Sequence, residues 1–147
     1  MNAFIRWSLA GVVVIGLGID AYTHLDLARE FSFNSTGTVN EGVLFQLEAA
    51  VAIVSGLLIL YRQTLLTAGF AVLVAGGGAA LLVVYRYVDV GKIGPVPDMY
   101  EPIWFTEKVV SLVGELIAVA GALMLIAVLL VQRRHSPRES ARSAVAA

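Results

Sequence analysis

Long apolar stretches and short polar breaks alternate along this chain. Residues 4–25, 42–61, 65–85 and 104–131 are dominated by Leu, Val, Ile, Ala and Gly, and Pro95, Pro97, Pro102 and Pro137 all fall outside them. Each stretch reaches the roughly 20 residues that a helix needs to cross about 30 Å of hydrocarbon. A β-barrel would show shorter segments with alternating polar and apolar positions, whereas these stretches are apolar on every face. The pattern predicts an all-α fold, an antiparallel bundle of four transmembrane helices over residues 1–132, in a multi-pass protein of the cell membrane.

The breaks differ in character. Only residues 62–64 separate the second and third stretches, which predicts a tight hairpin. Residues 28–41 are polar and contain Asn34-Ser35-Thr36, a glycosylation acceptor that has meaning only in a host that glycosylates. Residues 86–103 carry Gly91, Gly94 and three prolines, with Tyr87, Tyr100 and Trp104 suited to the headgroup level. That segment reads either as an ordinary interfacial loop or as a cap over the bundle mouth. Residues 133–147 are rich in Arg, Ser and Ala and are expected to form a disordered basic tail with an affinity for anionic lipid. Arg6 ahead of an apolar run resembles the start of a secretory signal. No small-x-small cleavage pattern follows, and Asp20, His24 and Asp26 crowd the place for one, so the first helix is expected to be retained.

Composition adds two exclusions. With 147 residues, 59% hydrophobic, and a mean hydropathy of +0.83, the chain is too apolar for a soluble domain of its size. The absence of cysteine removes disulfides, thiol catalysis and iron–sulfur ligation.

Charge sets the expected orientation. With both termini cytoplasmic, Arg6, Arg62, Arg133, Arg134, Arg138 and Arg142 lie inside, six of the ten basic residues, in line with the positive-inside rule. Of the eleven acids only Glu139 then lies inside, so the outer face is acidic and attracts cations over about a Debye length. No nucleic-acid partner is expected.

Asp20, Glu48 and Glu115 are acids set within apolar stretches, and an ionisable group at the bilayer centre costs at least about 2.5–3.5 kcal/mol. Asp20 and His24, four apart, share one helix face. Glu41, Phe45 and Glu48 share a face of helix two, and Glu107, Ser111 and Glu115 share a face of helix four. At 1.5 Å per residue, Glu48 lies roughly 9 Å into its helix, Asp20 about 10 Å and Glu115 about 5–15 Å, so these groups meet if their helices face one another. A faint echo between residues 47–52 and 114–119 hints at two related hairpins.

Asp20, His24, Glu48, Glu107 and Glu115 are therefore the candidate ligand-binding residues, and four readings stay open. They form interhelical hydrogen-bonded glue, a site or path for a small polar or cationic ligand or ion, a metal site on His24, Glu48 and Glu115, or a proton relay. A metal is the least favoured, since the Glu-x-x-His spacing is absent and one imidazole is few. Small residues at Ala52/Gly56, Gly76/Ala80 and Gly114/Ala118/Ala122 are expected packing seams, and the Gly76-Gly77-Gly78 run is assigned to packing as well. His135, in the basic tail, is expected to be merely solvated.

No nucleophile elbow, phosphate loop, haem pair or zinc motif appears, which speaks against a conventional enzyme and implies no particular cofactor. The first reading is a membrane protein that handles a ligand or ion. The alternative is an accessory subunit of a larger membrane complex with a membrane protein partner. The strings at residues 20–25, 44–48, 85–91 and 94–102 resemble small four-helix membrane proteins of high-GC actinobacteria, a resemblance that implies a host class and a fold but no activity. In architecture alone the plan is similar to DoxX-like membrane proteins.

Overall fold

The computed structural model describes residues 3–33 and 38–145, with side chains as far as residue 134. Asn34-Ser35-Thr36 and the side chain of His135 lie outside the described residues. The fold is all-α: α1 (Ala3–Glu30), a 3₁₀ turn (Phe31–Phe33), α2 (Glu41–Tyr61), α3 (Leu65–Tyr87) and α4 (Thr106–Val145). All four helices are long and apolar enough to cross a membrane. Even the shortest, α2 with 21 residues, rises about 31 Å. α4 remains helical to Val145, where the sequence suggests a disordered tail from residue 133.

The helix starts follow from local chemistry. Asn40 caps α2, its Oδ1 accepting from the Val43 amide at 2.8 Å. Thr64 and Thr67 form a reciprocal capping box at the start of α3. That cap lets α3 begin with only three residues between it and the end of α2. Arg6 on α1 donates from Nε to Gln63 Oε1 at 3.2 Å and from a terminal nitrogen to the Gln63 carbonyl at 3.3 Å, which fixes this turn beside the start of α1. At the opposite end of the bundle the two longer connections meet, with the Val39 amide donating to the Pro95 carbonyl at 3.1 Å.

Each helix packs on two neighbours, in the cyclic order α1, α2, α3, α4. The α1–α4 contact is the most extensive and the α2–α3 contact the slightest. Small residues explain the first. A Cβ built on Gly16 would stand 2.6 Å from both the Ala118 nitrogen and the Gly114 carbonyl oxygen, so backbones touch there. Gly42 does the same for α1 and α2, where a Cβ would stand 2.5 Å from the Ala28 carbonyl oxygen. Of the expected seams, Gly114 and Ala118 belong to this closest approach. Gly56 and Gly76 make only ordinary contacts, at 4.0 and 3.7 Å.

The core is narrow and made largely of alanine, with Leu17, Ile59 and Leu125 as its largest fully buried apolar side chains. Outside it, leucines and other large apolar residues such as Ile15, Leu66, Leu73 and Leu123 stand exposed around the helices. An apolar surface of this extent needs a lipid environment.

Candidate functional site

α1 and α4 build the first part of the site. Asp20 is fully buried, and its Oδ1 accepts from the Ser111 hydroxyl at 2.8 Å. The same oxygen lies 2.9 Å from His24 Nδ1, one turn further along α1. Nδ1 is also 3.0 Å from the Asp20 carbonyl oxygen, so this nitrogen is spent on Asp20 and Nε2 is the one left for the cavity that His24 lines. Asp20 Oδ2 has no hydrogen-bond partner.

The second part lies between α2, α3 and α4. Glu48 Oε1 and both carboxyl oxygens of Glu115 are buried without a partner. The Glu48 and Glu115 carboxyls converge on Gly78 of α3. A Cβ there would overlap Glu115 Oε1 and sit 3.2 Å from Glu48 Oε1. Gly78 therefore makes room for two carboxyl groups, which is more specific than the packing assigned to the glycine run. Gly77 has open space where its Cβ would be.

Above these groups is a cavity of about 490 Å³, within the roughly 300–1,000 Å³ typical of small-molecule sites. Its floor is formed by His24, Glu48, Gly78 and Ser111. Asp20 and Glu115 lie just behind that floor, through their contacts with Ser111 and Gly78. Three phenylalanines form one wall: Phe45 meets the His24 ring edge-on at 5.5 Å, Phe31 meets Phe45 at 5.6 Å, and Phe105 stacks on Phe31 at 6.4 Å. Aliphatic residues of α2 and α3, including Leu44, Leu47, Leu81 and Leu82, line the rest.

The α3–α4 connection covers the end of the cavity, so of its two readings the cap is the one the geometry favours. Val96, Met99 and Glu101 line the cavity from this segment. A bridge between Ile93 and Val96, turning at Gly94 (φ +57°), holds its tip. The Glu101 amide donates to the Tyr85 carbonyl at 3.1 Å, and Lys108 Nζ donates to the Glu101 carbonyl at 2.8 Å. Pro97, within the connection, is fully buried. At its flank the Arg86 guanidinium lies over the rings of Tyr87 and Trp104, at 4.9 and 5.6 Å.

Of the five candidates from the sequence, Asp20 and His24 are hydrogen-bonded to each other, Glu48 and Glu115 meet at Gly78, and Glu107 lies one turn beyond Ser111 without lining the cavity. Among the described residues no group of three His, Asp or Glu side chains is disposed to hold a metal, His24, Glu48 and Glu115 included. Gly78, Lys108, Phe31 and Phe105 are site residues that the sequence does not single out. Only the glycine run offers a signal, through its position in the membrane-spanning part of α3. Comparison with known protein families, with curated proteins and with solved structures finds no match.

Proposed function

We propose that this chain is a multi-pass protein of the cell membrane, an antiparallel four-helix bundle with both termini cytoplasmic, that binds a small polar or cationic ligand in its outer half. One observation carries the reading: buried carboxyl oxygens of Glu48 and Glu115, without hydrogen-bond partners, adjoin a cavity of ligand size. An unsatisfied buried polar group costs about 1–3 kcal/mol, and native structures keep few of them. Interhelical glue would pair these oxygens; a binding site leaves them for the ligand. Asp20, by contrast, is half satisfied by His24 and Ser111 and positions the imidazole.

Native mass spectrometry after mild extraction tests this. A small molecule retained by the wild-type chain and lost from a folded Glu48→Gln variant supports it. A stoichiometric protein partner with no small molecule would refute it in favour of an accessory subunit. Orientation has its own test. In intact cells an impermeant thiol reagent should label Lys92→Cys and spare Arg62→Cys, both exposed positions.

A further inference from the structure

The cavity has two conceivable mouths, and their construction differs. Toward the end of the bundle it is roofed by the α3–α4 connection, which is tied down at Pro95, Glu101 and Lys108. Toward the side it opens between α2 and α3. These helices start from the three-residue turn at 62–64 and touch least of all neighbouring pairs. Leu47 of α2 and Leu81 of α3 both line the cavity and yet are 57% and 56% exposed. A residue that is at once cavity wall and outer surface marks a lip. In these helices that outer surface faces the bilayer.

Resting on the ligand-binding reading above, we infer that the ligand is a hydrophobic cation, a molecule with an aliphatic tail and an amine end, which enters sideways from the membrane between α2 and α3. The walls match the two ends of such a molecule. Leu44, Leu47, Val51, Leu81 and Leu82 offer an aliphatic lining for the tail near the lips. An ammonium group reaching the floor meets Glu48, with the Glu115 carboxyl just behind it across Gly78. Its N–H donors supply the partner that Glu48 Oε1 lacks, and its charge stands close to the unpaired Glu115 carboxyl. The phenylalanine wall adds ring surface of the kind that attracts ammonium groups. Glu41 and Glu101 also line the cavity, against Lys108, so acids outnumber bases on the walls and an anionic head is disfavoured.

The test uses the full chain in phosphatidylcholine nanodiscs, with native mass spectrometry counting the molecules retained per chain. Three probes separate the two parts of the ligand: dodecylamine, n-butylamine and dodecanol. One dodecylamine per chain is expected, with n-butylamine and dodecanol retained at least tenfold less. Glu48→Gln should abolish dodecylamine retention. The double substitution Leu47→Trp with Leu81→Trp, at exposed positions that leave the core untouched, should slow dodecylamine uptake at least tenfold while circular dichroism remains unchanged. Retention of n-butylamine equal to dodecylamine and sensitive to Glu48→Gln would overturn the amphipathic ligand and leave the polar site standing. Dodecanol retained as well as dodecylamine would overturn the cationic head. Uptake undisturbed by the tryptophan pair would overturn the side entrance. Loss of all three probes, or retention indifferent to Glu48→Gln, would remove both this inference and the site it rests on.

Discussion

A single methyl group at position 78 tests whether the two carboxyls occupy the place described. The Cβ of Gly78→Ala would overlap Glu115 Oε1 and stand 3.3 Å from Glu115 Cδ and 3.2 Å from Glu48 Oε1. Glu115 is fully buried, so its carboxyl has little room to retreat. Overpacking of this kind costs about 1–3 kcal/mol. Alanine also gains about 0.5–1 kcal/mol over glycine within a helix, which leaves a net loss of up to about 2.5 kcal/mol by the same two principles. In a Glu115→Ala background the main obstacle is gone and only the 3.2 Å approach to Glu48 Oε1 is left, so the same substitution should be neutral or stabilise by up to about 1 kcal/mol. The coupling energy between the two positions is then about 1–3 kcal/mol, within the range that residues in contact show. Gly77→Ala, with nothing within 4 Å of its Cβ, is the control and should be neutral or stabilising in either background. Unfolding free energies of the single and double variants, from SDS titration in mixed micelles followed by circular dichroism, give the cycle. If Gly78→Ala has the same effect with and without the Glu115 carboxyl, the carboxyl does not sit against Gly78 and the floor of the cavity is built otherwise.

Three further outcomes are expected from the same assay. Gly16→Ala should destabilise by about 1–3 kcal/mol, because its Cβ would meet α4 backbone at 2.6 Å, while Gly18→Ala, two residues away with open space, should not; equal effects would refute the close α1–α4 approach. Ser111→Ala removes the hydroxyl that donates to Asp20 Oδ1 and should cost up to about 1.7 kcal/mol, the upper range for interhelical hydrogen bonds in membranes, with Ser111→Thr retaining most of the stability. Asn40→Ala should cost about 1 kcal/mol through loss of the α2 cap, and Asn40→Asp much less.

The helices are legible in the sequence because hydropathy alone dictates them. A stretch of about 20 apolar residues has no other way to satisfy its backbone in hydrocarbon. The tight turn at 62–64 is legible too, since three residues leave no alternative to a return. The helix ends are less so: α1 runs five residues past Leu25, to Glu30, because polar side chains at an interface do not end a helix. The seams are read only in part. Glycine and alanine pairs mark places where backbones are able to meet, but which of them do depends on the partner. Gly16 finds Gly114 and Ala118 opposite it and closes, whereas Gly56 finds only the side chains of Val14 and Leu17.

The site shows the same division more sharply. Intramembrane acids announce themselves through their cost, and Asp20, Glu48 and Glu115 stand out on that ground alone. The cavity does not, because it is a consequence of unequal packing. Glycine at 16, 42 and 114 draws α1 against α4 and α2 against α1. On the remaining side of the ring, beyond the carboxyls at Gly78, α2 presents Leu44 and Leu47 and α3 presents Leu81, Leu82 and Tyr85. Those side chains are too large to let the two helices approach as α1 and α4 do. The bundle is held shut by its small residues on two sides and wedged open by its large ones on a third. The acids sit at the depth where the wedge begins, which is why the polar floor and the apolar opening belong to one site.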